Sequence, residues 1–159
     1  YMDQAPIQTI DIHEGLDSTL TILGSNLNNG IQIQREYTGN LPTVEAYGSE
    51  LNQVWTNIID NAIDSIYGDG VITLRTRSDD QWAIVEIEDN GPGIPESIQP
   101  QLFDPFFTTK PPGDGAGLGL NITHNIVVNK HRGRIDVYSQ PGMTRFEVRL
   151  PLNSNDSPT

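Results

Sequence analysis

Three short stretches of this sequence carry side chains suited to holding a nucleotide. The first is centred on Asp89, which ends an apolar alternation and is followed by Gly91 and Gly93. A carboxylate there can accept hydrogen bonds from an exocyclic amine, and the glycines leave room for a flat ring. The combination is compatible with adenine as the group that Asp89 binds, but does not by itself select it. The alternative is a carboxylate that ends a strand and has no further role.

The second stretch contains Asn57 and Asn61, which are four residues apart in a segment with helical spacing. They therefore share one helix face, and Asp60 and Asp64 have the same spacing on an adjoining face. An amide oxygen is a neutral ligand for a hard cation such as Mg²⁺, which takes few protein ligands together with substrate phosphates. An ordinary polar helix face is the alternative.

The third stretch is rich in glycine and runs from Gly113 to Gly119, just before a helical pattern. Glycines let the backbone approach an anion, and a helix N-terminus offers unpaired N–H groups, so phosphates could lie here. A flexible lid is the alternative. The stretch is not a P-loop, because no Lys-Ser or Lys-Thr pair follows the last glycine. A dinucleotide-binding fingerprint directly follows a strand, whereas this stretch follows a predicted loop. It is therefore a poor match to that fingerprint.

The elements that must hold these stretches are predicted from apolar spacing and turn signals. Asp11 is expected to cap a first helix with a stripe of Leu16, Leu20, Leu23 and Leu27, and Ser49 to cap a second helix that runs to about Tyr67. Third and fourth helical segments are expected over 118–130 and, interrupted by Pro100, over 96–103. Strands are expected over 31–37, 44–47, 71–77, 82–89, 134–139 and 144–150.

This order of elements predicts an α+β domain: a two-layer sandwich with one mixed, mostly antiparallel sheet covered on one face by about three helices. The domain is expected over 11–152, with 1–10 as a lead-in from an upstream region and 153–159 as a disordered tail. Residues of about 95–117 are expected to form a mobile lid, because long loops in compact domains are usually functional. Ile84 interrupts the alternation over 83–87 without an evident reason.

Composition limits the possible functions. The chain has 159 residues and a formal net charge of −12, which argues against a nucleic-acid binder because phosphate neutralisation needs clustered Lys and Arg. There is no cysteine, no signal pattern and no apolar run near the ~18 residues of a membrane span. We expect a cytoplasmic domain that makes no membrane contact itself, within a parent protein for which a membrane anchor is left open.

Four motifs in this order and at this spacing resemble the catalytic, ATP-binding domain of bacterial sensor histidine kinases, within the GHKL superfamily of Bergerat fold. Residues 57–62 (Asn-Ile-Ile-Asp-Asn-Ala) resemble the N box and 89–94 (Asp-Asn-Gly-Pro-Gly-Ile) the G1 box. Residues 103–110 (Phe-Asp-Pro-Phe-Phe-Thr-Thr-Lys) resemble the F box and 115–120 (Gly-Ala-Gly-Leu-Gly-Leu) the G2 box. The similarity extends over about 11–152.

The resemblance implies ATP and Mg²⁺ as cofactors and assigns a role to each matching residue. Asn61 with Asn57 would hold Mg²⁺, and Asp89 would bind the adenine amine in a pocket shaped by Gly91, Gly93 and Ile94. Gly115, Gly117, Leu118 and Gly119 would lie at the phosphates and anchor the lid, whose hydrophobic foot is formed by Phe103, Phe106 and Phe107. Phe107 and Thr108 would contact the nucleotide, and Lys110 would meet the phosphates.

The resemblance also indicates the kind of phosphoryl chemistry. Hydrolases of the superfamily carry a Glu one turn before the N-box Asn, and here that position is Asn57, which cannot act as a base. This favours transfer to a histidine on a separate dimerisation and phosphoacceptor domain of the parent kinase, with a response regulator served indirectly. Asn57 and Lys110 would assist, and no residue of the domain is assigned as catalytic, with Asp60 as the alternative base. The isolated domain is expected to be monomeric.

Some features depart from the family or leave alternatives open. Asp64 stands where many members have Lys, so a phosphate contact is missing there. His13 is not expected to be the acceptor, because the sequence after it does not match an acceptor box, and His131 is expected to be a packing or capping residue. The alternative functions are an anti-sigma-type serine kinase and a non-catalytic, nucleotide-dependent interaction module.

Overall fold

The computed structural model describes residues 6–24, 30–105, 107 and 119–152 and confirms the α+β sandwich. Its helices are α1 (Ile12–Leu23), α2 (Gly48–Ser65) and α3 (Gly119–His124), which is continued by a π-helix over Asn125–Lys130. Its strands are β1 (Gln8–Ile10), β2 (Ile31–Glu36), β3 (Val44–Ala46), β4 (Gly70–Ser78), β5 (Trp82–Asp89), β6 (Arg134–Gln140) and β7 (Met143–Pro151).

The main sheet has five strands in the order β2-β4-β5-β7-β6. Strands β2 and β4 pair in parallel, and the other neighbours in this sheet are antiparallel. The short strands β1 and β3 form a separate antiparallel pair. This register brings the end of β5 to the centre of the sheet, with Asp89 opposite Ile72 on β4 and Thr144 on β7.

The core lies between the helices and one face of the sheet. The apolar side chains along one face of α2 are buried there, and Trp55 is fully enclosed. Ala83, Val85 and Ile87 of β5 face the same core, because alternate residues of a strand point to one side. Asp89 continues this alternation, so its carboxylate is directed to the helix side of the sheet.

The opposite face of the sheet is covered by ion pairs instead of helices. Arg75 pairs with Glu36 and Glu88, and Arg77 pairs with Glu86 and Glu147. This face also explains the apolar residue that interrupts β5. Ile84 is only 3% exposed, and its partners across the ladder are Arg77 and Arg149, whose aliphatic stems share its face.

Helix termini differ from the sequence prediction at several positions. Asp11 caps α1 as expected, accepting from the backbone of His13 and Glu14, but the described part of α1 ends at Leu23. Leu27 of the predicted stripe lies outside the described residues. The Ser49 cap is wrong: the N-cap of α2 lies two residues earlier, at Tyr47, which makes no side-chain capping bond. Leu51 N–H donates to the Tyr47 carbonyl instead.

Three further differences arise from tertiary contacts. Residues 8–10 form β1 because β3 provides a partner, although the sequence there shows no strand pattern. The segment 96–103 contains only a 3₁₀ turn at Gln99–Gln101, since Pro100 removes a backbone donor. The third helix becomes a π-helix in its second half, where His131 N–H and Nδ1 both bond to the Ile126 carbonyl, five residues back.

Candidate nucleotide-binding site

Three polar side chains of α2 lie one turn apart along a single face. Asn57, Asn61 and Ser65 are spaced by four residues, so they form a row that leads from the middle of α2 to its C-terminal end. The predicted asparagine pair is the first part of this row. Ser65 continues the same four-residue spacing, which is the sequence signal by which it could have been found.

The row ends at Asp89, which is 5% exposed. Its Oδ1 accepts from Gly91 N–H at 2.9 Å and from the Ser65 hydroxyl at 3.3 Å. Among the described residues no hydrogen bond reaches Oδ2. Burial raises the pKa of this carboxyl, and the two donated hydrogen bonds oppose the shift. One oxygen is therefore fixed by the protein, and the other is left to accept from a ligand.

Thr144 completes this part of the site, and no sequence pattern selects it. It is buried on β7 directly opposite Asp89. Its hydroxyl lies 2.9 Å from that of Ser139, which also accepts from Ile94 N–H at 2.8 Å. Ser65, Asp89, Gly91 and Thr144 are called the strand-end cluster below.

The two glycines after Asp89 have different roles. A Cβ at Gly91 would lie 2.9 Å from Asp89 Oδ1 and 3.0 Å from the Ser65 carbonyl, so the side-chain position borders the carboxylate. A Cβ at Gly93 would lie 2.3 Å from the Gln140 carbonyl, and φ is +91°. Gly93 therefore lets the chain dock against the β6–β7 hairpin, an explanation that differs from space for a ring.

The asparagine pair lies against the start of α3. Asn57 Nδ2 donates to the Gly119 carbonyl at 3.0 Å and to the Thr123 hydroxyl at 3.1 Å. Asn61 is half-buried and makes no side-chain hydrogen bond within the described ranges. Asn57, Asn61, Gly119 and Thr123 are called the helix-face cluster below.

The helix-face cluster fits a hard cation by the chemistry of its donors. Asn57 Oδ1 has only a 3.5 Å contact with Gln53 Nε2, so it is available as a ligand. The described part of the chain holds no group of three His, Cys, Asp or Glu side chains that could bind a metal by themselves. A cation here would thus take few protein ligands together with ligand oxygens, as Mg²⁺ commonly does.

Phe103, a described residue of the predicted hydrophobic foot, contacts α3, the helix that follows the expected lid. Asn121 Nδ2 donates to the Phe103 carbonyl at 3.2 Å, and the Phe103 ring lies 5.4 Å from that of His124. Phe103 also packs edge-on against Phe146, while Phe107 is half-buried. The other predicted lid and phosphate residues, which are Phe106, Thr108, Lys110, Gly115, Gly117 and Leu118, lie outside the described residues.

Two of the histidines are held by side-chain and backbone contacts. His13 stacks on Tyr37 with ring centroids 4.1 Å apart, and its Nε2 lies 2.8 Å from the Thr76 hydroxyl. His131 is 8% exposed and packs as expected, with Nδ1 bonded to the Ile126 carbonyl and Nε2 accepting from Tyr47 N–H at 3.1 Å.

The comparison with protein families shows to which family of proteins this chain belongs. Residues 46–154 match the histidine kinase-, DNA gyrase B- and HSP90-like ATPases, and the chain belongs to this family. The sensory histidine kinase/phosphatase NtrB of Salmonella typhimurium is 34% identical over 155 residues, which cover 91% of this chain and 44% of the relative. The chain thus spans less than half of the curated relatives that it matches.

Solved structures support the same class. The catalytic domain of the histidine kinase ThkA is 26% identical with a TM-score of 0.83, over 92% of this chain and 98% of that one. Full-length ShkA in complex with AMPPNP is 25% identical with a TM-score of 0.81, over 94% of this chain and 32% of that one. No helix within the described residues is long and apolar enough to cross a membrane.

Proposed function

We propose that this domain binds ATP with Mg²⁺ and transfers the γ-phosphate to a histidine of a separate helical phosphoacceptor domain. The observation that carries the proposal is the buried Asp89 carboxylate, with Oδ1 held by Ser65 and Gly91 and no bond to Oδ2 from the described residues. An acceptor in this state matches the exocyclic amine of adenine. The AMPPNP bound to the similar ShkA supports the choice of nucleotide.

Different residues of the site would bind different parts of the nucleotide. Asp89 would bind the base, beside Gly91, Gly93 and Ile94. Asn57 and Asn61 would hold Mg²⁺, which when bound supplies positive charge to the phosphate oxygens. Gly119, at the start of α3, would approach the phosphates together with Gly115, Gly117, Leu118 and the lid residues Phe107, Thr108 and Lys110.

Phosphoryl transfer requires little covalent chemistry from this domain. A neutral imidazole nitrogen of the acceptor attacks the γ-phosphorus, the N–P bond forms, and the bond to the β–γ bridging oxygen breaks to give ADP. The domain contributes position and charge neutralisation. Asn57 is consistent with this assignment, because an amide cannot deprotonate a water molecule and so does not promote hydrolysis.

The partner domain and the pathway are also part of the proposal. NtrB and ThkA are histidine kinases, and ThkA has been solved with the response regulator TrrA. By analogy, the acceptor would belong to the same parent protein, and a response regulator would receive the phosphate from it. Binding of nucleic acid is not part of the proposed function, in keeping with the charge of −12.

The test is phosphorylation of the acceptor in trans. The domain is mixed with the helical phosphoacceptor domain of its parent protein and γ-labelled ATP, with Asp89→Asn as the inactive control. We expect label on the acceptor that is lost in acid and stable in base, as for phosphohistidine. Acid-stable label would instead indicate a serine kinase. ATP binding without label on any partner would indicate an interaction module, and either result would reject the proposal.

A further inference from the structure

The side chain of Asn57 is oriented by α3 through its nitrogen. Nδ2 donates to the Gly119 carbonyl at 3.0 Å. A carbonyl oxygen can only accept, so the amide nitrogen must face α3 at this contact. Turning the amide over would place two acceptors against each other. The direction of the Asn57 side chain is thus decided by chemistry as well as by shape.

Thr123 supplies a second acceptor to the same nitrogen, at 3.1 Å. Its side chain is 0% exposed, so no solvent molecule can replace the hydroxyl without a change in packing. An amide nitrogen carries two hydrogens, and the two bonds to α3 use both. Asn57 then has only Oδ1 left for a ligand.

That oxygen is the atom that a hard cation requires. Its contact with Gln53 Nε2 is 3.5 Å, which is beyond the usual length of a hydrogen bond, and Gln53 is exposed. Asn61 lies one turn further along the same face of α2. The bond from Thr123 therefore acts on the part of the site that faces the metal and phosphates, 66 residues away along the chain.

We infer that Thr123 is a positioning residue, which fixes the Asn57 amide so that Oδ1 is presented to the cation of the nucleotide complex. This inference rests on the proposed function, because it concerns the Mg²⁺-dependent part of ATP binding. Thr123 touches neither ligand, and it acts only through Asn57. Groups that orient a metal ligand commonly matter almost as much as the ligand itself.

The experiment compares Thr123→Val with Thr123→Ser. Valine keeps the shape of threonine and removes the hydroxyl, whereas serine keeps the hydroxyl and removes a methyl group. ATP affinity is measured by calorimetry, once with Mg²⁺ and once with a chelator. We expect Thr123→Val to weaken binding about three- to tenfold with Mg²⁺, the loss of one buried hydrogen bond, and to leave Mg²⁺-free binding unchanged. Thr123→Ser should bind as the wild type does.

A double-mutant cycle separates positioning from general packing. Asn57→Ala removes the group that Thr123 orients, so Thr123→Val should have no further effect on Mg²⁺-dependent affinity in that background. Equal losses of affinity from Thr123→Val in both backgrounds would overturn the inference. So would a loss that is the same with and without Mg²⁺, or one that serine shares with valine.

The wild-type titration distinguishes failure of this inference from failure of the proposed function. If the wild type binds ATP more tightly with Mg²⁺ and Thr123→Val does so equally, only the role of Thr123 is rejected. If the wild type binds no ATP under either condition, the proposed function fails and the inference fails with it. Thermal unfolding of each variant, followed by circular dichroism, verifies that the folded domain is being titrated.

Discussion

The strand-end cluster and the helix-face cluster share one face of α2, yet they are built from opposite kinds of polar group. At the strand end a carboxylate is buried, and its pKa is raised by that burial. At the helix face two neutral amides take its place. In a chain of net charge −12, the described carboxylate at this site is the one proposed to bind a neutral base, whereas the α2 side chains proposed to lie near Mg²⁺ and the phosphates are neutral amides.

The two clusters also differ in how tightly the backbone is packed. Gly93, next to the strand end, has φ of +91° and a carbonyl in the way of any Cβ. At Gly119, in the helix face, the nearest atom that the described residues would bring to a Cβ is 3.8 Å away, which is ordinary contact. Close backbone approach therefore fixes the segment that follows the strand-end cluster, and side-chain hydrogen bonds join the helix-face cluster to α3.

The largest effect is expected from Asp89→Asn. The amide can keep Oδ1 in place, but it presents an N–H₂ group where the base amine also donates. We expect ATP affinity to fall more than about a hundredfold, because two donors then face each other in a buried site. Asp136→Asn, an exposed change on β6, is the matched control. Isothermal titrations that coincide for Asp89→Asn and the wild type would contradict the assignment of the base.

Alanine substitutions compare the backbone that follows the strand-end cluster with the backbone of the helix-face cluster. Gly93→Ala should destabilise the domain by about 2 kcal/mol or more, through overpacking and an unfavourable positive φ. Gly119→Ala should leave stability unchanged or raise it by about 0.5–1 kcal/mol, since alanine favours a helix more than glycine does.

Urea unfolding of both alanine variants measures this contrast. Equal destabilisation by the two substitutions would show that the backbone is packed equally tightly at Gly93 and Gly119. If Gly119→Ala keeps its stability but binds ATP less tightly, the need for glycine there comes from the nucleotide.

A smaller effect is expected from Asn61→Ala at the helix face. Loss of one neutral ligand should weaken ATP binding about tenfold with Mg²⁺ and little without it. Asn129→Ala, an exposed asparagine in the π-helix, is the control. A calorimetric loss that is independent of Mg²⁺ would place Asn61 at the nucleotide itself and not at a metal.

The smallest effect is expected on the free energy of unfolding, which burial of the Asp89 carboxylate lowers at neutral pH. Because burial raises the folded pKa of Asp89 above its unfolded value, its favourable contribution is complete below the unfolded pKa and is lost as pH rises through the folded pKa. Without nucleotide, Asp89→Asn should therefore be more stable than the wild type at neutral pH, by on the order of 1 kcal/mol.

Urea unfolding at a series of pH values measures this difference in unfolding free energy between Asp89→Asn and the wild type. The advantage of Asp89→Asn should disappear below the ordinary carboxyl pKa of about 3.9. A constant difference at every pH would show that burial of charge is not its cause. The same variant thus gains stability and loses the ligand, which is the exchange expected of a binding site.

The fold was largely predictable because its signals are local. The alternation of β5 located the strand at Trp82–Asp89, and four-residue spacing identified α2 with Asn57 and Asn61 on one face. The site residues that were missed depend on register between distant segments. Thr144 lies beside Asp89 only because β7 pairs with β5, and Thr123 reaches Asn57 only because α3 packs on α2.

The wrong local predictions have the same origin. Ser49 has the composition of a cap, but the pairing of β1 with β3 fixes where the chain turns into α2. The π-helix depends on a ring that bonds back to Ile126, and helical periodicity alone does not distinguish it from an α-helix. The burial of Ile84 likewise depends on arginine stems from two neighbouring strands.

His131 has a chemical consequence beyond packing. Its Nδ1 must carry the proton, since a carbonyl accepts there, and the lone pair of Nε2 is directed at Tyr47 N–H. An imidazole needs a free lone pair to attack phosphorus, and this ring has none. A domain proposed to phosphorylate histidine therefore contains one that is protected from self-modification. The same two bonds that shape the end of the third helix make His131 inert as a nucleophile.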